Sequence, residues 1–279
     1  MARLYPCPTE PTESPETSRS CDHRPMLLAV DVGNTQTHVG AFEGSELVGD
    51  WRFATRGDST ADELALALAG SLEFRGLQLS ALTGAVVSTV VPRLGPEYLR
   101  LSDRHLDAPC LLVGASIKTG MPIRIDNPHE LGSDRLVNAV AAYERFGGRC
   151  ISVDFGTSIN FDAVSEEGEY LGGVIGPGLE VSIEALAGRA AKLPRIELAE
   201  PAVAIGRGTL AALQSGFVFG FAGLVDGLTR RMLAELGEPA AVIATGGLAS
   251  VIAPLCERVD EVDPYLTLDG LRLIWGRNA

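Results

Sequence analysis

Lysine and arginine are scarce in this chain. There are 23 of them against 36 aspartates and glutamates, so the 279 residues carry a formal net charge of −13. No basic run interrupts that acidity. An acidic protein repels nucleic acid and anionic membranes, so neither is expected as a partner. Cysteine is also sparse. Cys7, Cys21, Cys110, Cys150 and Cys256 are odd in number, far apart and without a C-x-x-C, which argues against a disulfide framework or a zinc site and fits a reducing cytoplasm. The most apolar late stretch, residues 240–255, is broken by Thr245, Gly246, Gly247 and Ser250 and is too short to span a bilayer. A soluble, cytoplasmic protein is expected. The two commonest nucleotide-binding signatures are missing as well: there is no G-x-x-x-x-G-K-[ST] and no G-x-G-x-x-G after a strand.

The first 25 residues hold Pro6, Pro8, Pro11, Pro15 and Pro25 among Thr, Ser and Glu, with almost no aliphatic side chains. Such a segment cannot bury enough surface to order itself, so residues 1–25 are expected to form a disordered tail. They lack the apolar region of a signal peptide, and Met26 stands just before the first strand, where the functional start is expected. Apolar residues make up 46% of the chain, enough for a sizeable core. The length suggests two domains, placed at residues 26–142 and 143–279.

A pattern occurs twice. Leu27 to Asp31 is an apolar run ending in an acid, Gly33-Asn34-Thr35 turns the chain, and a second strand passes Val39 and Phe42 to a tight Glu43-Gly44-Ser45 turn. Later, Cys150 to Val153 is apolar, Asp154-Phe155-Gly156-Thr157 closes it, and strands at Phe161–Val164 and Tyr170–Val174 follow around Glu166-Glu167-Gly168. A hairpin with an acid at the end of its first strand, once per half, suggests two related α/β domains facing each other across a cleft where the two acids meet. Helices are expected after the Thr60/Glu63 capping-box pair, along Leu136, Val140 and Tyr143 up to Gly147, over residues 209–236 as one helix or two joined, and over 268–275. Short strands at 85–88, 110–113 and 240–245 alternate with them, which makes the fold class α/β.

Asp31, Gly33, Asn34 and Thr35 offer what a polyphosphate needs: backbone approach without a Cβ, amide and hydroxyl donors, and a carboxylate for hydrated Mg²⁺. One such turn could merely satisfy its own backbone. The second copy at Asp154, Gly156 and Thr157, with the Thr245-Gly246-Gly247 turn after a third buried strand, favours a phosphate site. The loop Asp126-Asn127-Pro128-His129-Glu130-Leu131-Gly132-Ser133-Asp134-Arg135 leads into a helix. Asp134 there is either a plain first-turn acid, stabilised by the free helix amides, or a general base. Phosphoryl transfer needs one acceptor for the attacking hydroxyl's proton and a cation for anionic oxygens, which Asp134 and Arg135 could supply. His129 reads as a loop residue and not a metal ligand, because no second histidine lies at ligand spacing.

In order along the chain, D-V-G-N-T, D-N-P-x-E-L-G-x-D-R, D-F-G-T, G-V-I-x-P-G and T-G-G resemble the type III pantothenate kinases of the acetate and sugar kinase superfamily, from Leu27 to the C-terminus. The resemblance implies two actin-like (ribonuclease H-like) domains across a nucleotide cleft. It implies an ATP-dependent phosphorylation of pantothenate, the first step of coenzyme A synthesis, by a cytoplasmic homodimer. Asp31, Val32, Gly33, Asn34, Thr35, Gln36, Thr37, His38, Thr157, Gly246 and Gly247 would bind ATP, with Asp31 reaching Mg²⁺ through the phosphates. Ile125, Gly132, Ser133, Asp134, Arg135 and Thr209 would contact pantothenate, Asp134 being the base, and Asp154 would hold a monovalent cation, K⁺ or NH₄⁺. Ile125 where the family commonly has Tyr, Ser133 where it often has Ala, and Ser158-Ile159-Asn160 after D-F-G-T depart from the pattern. The competing readings are an inactive kinase-like accessory protein and an actin-fold kinase for another small hydroxylated substrate.

Overall fold

A computed structural model of the chain describes residues 25–114, 117–189, 196 and 198–279. The expected disordered tail lies outside the described residues apart from Pro25. Strand β1 (Met26–Val32) is buried along nearly its whole length, as a strand flanked on both sides and covered on both faces must be. It pairs antiparallel with β2 (Gln36–Glu43), which pairs antiparallel with β3 (Glu46–Ala54). Gly44, at φ 63°, makes the tight turn between β2 and β3. Helix α1 (Ala61–Glu73) starts with the expected capping box, Thr60 and Glu63 each bonding the other's backbone amide. β4 (Leu82–Thr89) then runs parallel to β1, and after α2 (Leu94–Leu101) the short β5 (Cys110–Leu112) runs parallel to β4.

Helix α3 (Ser133–Phe146) ends at Gly147, φ 65°, and leads into a second sheet. Its strands are β6 (Cys150–Phe155), β7 (Ser158–Val164), β8 (Tyr170–Pro177), β9 (Ala241–Thr245) and β10 (Glu261–Val262). Between β8 and β9 come α4 (Leu179–Arg189) and the single 28-residue helix α5 (Thr209–Leu236); α6 (Ala249–Ile252) precedes β10 and α7 (Leu266–Gly276) follows it. The first sheet has the order β3-β2-β1-β4-β5 and the second β8-β7-β6-β9-β10. The second order is the first with five added to each number, and the pairing senses match strand for strand. The repeat read from two hairpins therefore extends to whole five-stranded sheets.

Helices α3 and α7 join the halves. Leu136, Val137 and Val140 of α3 and Leu268, Leu271 and Ile274 of α7 share one core with Leu27 and Ala29 of the first sheet and Cys150, Tyr170 and Ile243 of the second. The expected boundary at 142/143 falls inside α3. The C-terminal helix, grouped by sequence order with the second half, packs on α3 and the first sheet. Gly270 permits that crossing, since a Cβ there would lie 2.3 Å from the Val137 carbonyl oxygen.

Candidate active site

The two sheets present their repeated acids at equal register. Asp31 sits opposite His38 on β2 and Ser88 on β4; Asp154 sits opposite Asn160 on β7 and Thr245 on β9. Laterally paired residues project to the same face of a sheet, so each acid stands in a polar row on the face that meets the other half. Between the rows lies a cleft of about 540 Å³.

Each acid is followed by a tight turn. The Gly33 amide donates to the Gln36 carbonyl at 3.1 Å and the Gly156 amide to the Ser158 carbonyl at 3.0 Å. The turns meet, for the Thr35 and Thr157 hydroxyls lie 2.9 Å apart across the cleft. Gly246 closes the third side at φ 95°, where a Cβ would come within 2.5 Å of Asp154 Oδ1 and 2.7 Å of the Phe155 backbone. Gly178, from the P-G end of the G-V-I-x-P-G motif, presses on the second turn, with a Cβ position 2.3 Å from the Thr157 carbonyl oxygen.

Asp134 enters from the first turn of α3, where the backbone amides of residues 134 and 135 favour its charged form. Gly132 caps the helix where any Cβ would lie 2.4 Å from Asp134 Oδ1. The Ser133 hydroxyl sits 2.9 Å from that of Ser88 and accepts from the Thr89 amide at 3.2 Å, pinning α3 to the end of β4. Ser88 is the residue opposite Asp31 on the neighbouring strand. The departure at Ser133 thus ties the two acids' supports together.

Burial, reinforced by the neighbouring charges of Asp134 and Asp154, pushes the Asp31 carboxyl up to about 8. Burial, with Asp134 and Asp162, pushes Asp154 up to about 7. Asp134 is also raised by burial, against the opposing pull of the helix amides and Arg135. The free protein therefore holds protons here that the unfolded chain, with carboxyls near 3.8, has released. Protons bound only in the folded state stabilise it at acid pH, and that stability is lost as pH rises through the folded values. Thermal unfolding of the nucleotide-free protein should accordingly show a lower Tm at about pH 8 than at about pH 5.5, with the gap narrowing in Mg²⁺ and ATP. An equal or higher Tm at the alkaline end would contradict the buried-acid cluster.

The oxygens Asp31 Oδ1 and Asp134 Oδ1 are buried without a hydrogen-bond partner. Unpartnered hard oxygens in an acidic pocket suit a hydrated divalent cation. Among the described residues no group of three or more His, Cys, Asp or Glu is placed to hold a metal by itself.

Of the residues expected at ATP, Asp31, Gly33, Asn34, Thr35, Gln36, His38, Thr157, Gly246 and Gly247 line the cleft, together with Asp134 and Asp154. Val32 and Thr37 do not; Val32 lies in the core of the first sheet and the buried Thr37 hydroxyl pairs with that of Thr55 at 2.8 Å. Strand alternation sends these two to the opposite face. Arg135 turns away from the cleft. Its Nε donates to Asp162 Oδ1 at 2.8 Å, and the Tyr170 hydroxyl donates to the same oxygen at 2.7 Å. Ile125 packs on the central core, 3.6 Å from where a Gly172 Cβ would stand. Thr209 is exposed at the start of α5 and is absent from the cleft lining. Sequence reasoning missed Ser88, Asn138, Asp162 and Thr267. Asn138 donates to Asp154 Oδ2 at 3.2 Å and accepts from the Thr267 hydroxyl at 2.7 Å. The signal available for Asn138 and Asp162 was a polar residue in an otherwise apolar, buried stretch.

Two actin-like halves with paired Asp-Gly-Thr turns over a shared acidic cleft define a protein of the actin-like kinase and ATPase class. The solved ethanolamine utilization protein EutJ from Carboxydothermus hydrogenoformans has a similar fold, with a TM-score of 0.55 at 14% identity over 90% of each chain. Within the class, the family model described as type III pantothenate kinase matches residues 27–231. The chain is 50% identical over 254 residues to the type III pantothenate kinase of Moorella thermoacetica, covering 91% of this chain and 100% of that one. It is 50% identical over 253 residues to the enzyme of that name from Myxococcus xanthus, covering 91% and 99%. The chain belongs to the type III pantothenate kinase family.

Proposed function

We propose that this protein transfers the γ-phosphoryl group of ATP to pantothenate, giving 4'-phosphopantothenate in the first step of coenzyme A synthesis. The observation that carries this reading is the buried Asp134 carboxylate, with one oxygen unpartnered, beside two phosphate-binding turns that meet at Thr35 and Thr157. In the reaction Asp134 accepts the proton of the pantothenate primary hydroxyl, whose oxygen then attacks the γ-phosphorus. The turns at Gly33–Thr35 and Gly156–Thr157 orient the phosphates, and the Gly246-Gly247 turn lies against the nucleoside. Mg²⁺, which the phosphates and Asp31 would hold, would neutralise the phosphate charge. Asp154, the other buried acid facing the cleft, takes K⁺ or NH₄⁺. In this reading the pantothenate contacts are Ile125, Gly132, Ser133, Arg135 and Thr209, none of which lines the nucleotide cleft.

The working form in this reading is a cytoplasmic homodimer of two-domain chains. Support for a second copy comes from apolar residues left exposed in the second half, among them Leu171 and Ile175 on edge strand β8, Val181 and Leu186 on α4, and Leu210 on α5.

The test is ADP release by the purified protein in Mg²⁺ and K⁺, with and without pantothenate, and the mass of the product. Pantothenate-dependent ADP release with a product heavier by one phosphoryl group is expected. A protein that binds ATP and releases no ADP would be an accessory relative, and ADP release only with another hydroxylated acceptor would move the substrate assignment.

A further inference from the structure

The cleft is acidic on every side, yet it must hold the four negative charges of ATP and stabilise more as the phosphoryl group moves. Among the described residues that line it, Asp31, Asp134, Asp154 and Glu180 are acids and Arg52 is the single basic side chain besides His38. His38 is committed to Asp50, whose Oδ2 lies 3.2 Å from its Nε2. The other nearby cation, Arg135, is already held by the buried Asp162. The guanidinium that phosphoryl transfer calls for therefore has one source.

Arg52 is placed for that work by the sheet. It lies on β3 directly opposite His38, which lies opposite Asp31, so the three form one lateral row on the cleft face. With strands about 4.8 Å apart, two strand spacings separate Arg52 from Asp31, within reach of an extended arginine. The head group is steered by a neutral acceptor: Nη1 donates to Gln36 Oε1 at 3.0 Å, and Gln36 belongs to the turn that follows Asp31. Among the described residues no carboxylate lies within ion-pair distance of it, and its remaining donors are uncommitted. A cation kept in a cleft of acids without being paired by any of them is available to an incoming anion. A guanidinium matches phosphate geometry through two parallel N–H bonds.

We propose that Arg52 is a catalytic residue that binds the γ-phosphoryl oxygens of ATP and stabilises their charge as the group passes to the acceptor hydroxyl. This rests on the ATP-dependent phosphoryl transfer proposed above. Contact with the terminal phosphate sets Arg52 apart from the turns, which hold the whole polyphosphate. ADP, lacking that phosphate, does not use it.

The test compares wild type, Arg52→Ala and Arg52→Lys for pantothenate-dependent kcat and for ADP affinity by calorimetry. Arg52→Ala is expected to lose about 10²-fold or more in kcat, to keep wild-type ADP affinity, and to regain part of its rate when guanidinium ion is added at concentrations that do not accelerate wild type. Arg52→Lys, with charge but no fork, should fall between. Retained ADP binding also reports that the variants fold, as an exposed edge-strand position leads one to expect. An active wild type with an Arg52→Ala kcat near its own overturns the inference alone, as does ADP affinity falling in step with kcat. A wild type that releases no ADP with pantothenate overturns the kinase reading and this inference with it.

Discussion

Asp134→Asn is expected to lower kcat by about 10²- to 10⁴-fold, the usual worth of a positioned general base, while ATP affinity holds. Asparagine has the shape of aspartate, and its amide oxygen can still face the backbone amides of residues 134 and 135. It cannot take a proton. The same substitution carries a second signature. Asp134 is one of the charges that raise Asp31 and Asp154, so making it neutral lets both ionise more easily and removes part of the instability of the free protein at alkaline pH. A variant that is slow and at the same time melts higher than wild type at about pH 8 is the expected result, a stability gained at the expense of activity. Turnover near the wild-type rate would remove Asp134 from the base role.

Asp162→Ala is expected to have the largest effect on stability, about 3–5 kcal/mol by denaturant unfolding. Asp162 is 1% exposed and one of its oxygens accepts from both Arg135 and Tyr170. Burial raises its pKa to about 6 in spite of the neighbouring Arg135 charge, so the cost of taking the carboxylate out of water is only partly offset by its partners. Removing it leaves Arg135, whose side chain is 15% exposed, without its counter-charge. Replacing both members by apolar side chains of similar volume, Asp162→Leu with Arg135→Met, should restore much of the loss, because the unpaired charge is gone. If the single alanine variant unfolds within about 1 kcal/mol of wild type, Arg135 finds solvent without help and the pair is not structural.

Much of the site was legible because its parts are short-range. A strand ending in Asp-x-Gly with a threonine just after puts an acid, a flexible turn and a hydroxyl within a few residues, and that pattern, present as D-x-G-N-T and as D-x-G-T, points to both the duplicated fold and the position of the acids. The capping box at Thr60 and Glu63 was legible for the same reason. Arg52 was not. Its strand, β3, has the alternation of Trp51 and Phe53 around it, but β3 was not recognised, and without the strand there was no row to place Arg52 beside His38 and Asp31. Arg135 was assigned by adjacency to Asp134. One residue further along a helix turns a side chain by about 100°, and that rotation carries Arg135 away from the cleft to Asp162.

The chain's own order of residues determined the repeated hairpins, the acids at their strand ends, the glycines at the turns and the helix that carries Asp134 in its first turn, since each follows from backbone geometry and local hydrogen bonding. The tertiary structure alone decided which charges share the cleft. Packing α3 and α7 between two sheets brings Asp31 together with Asp134 and Asp154, which lie more than a hundred residues further along the chain, shifts their proton affinities through burial that no local pattern contains, commits one arginine to a buried carboxylate and leaves the other on a neutral glutamine.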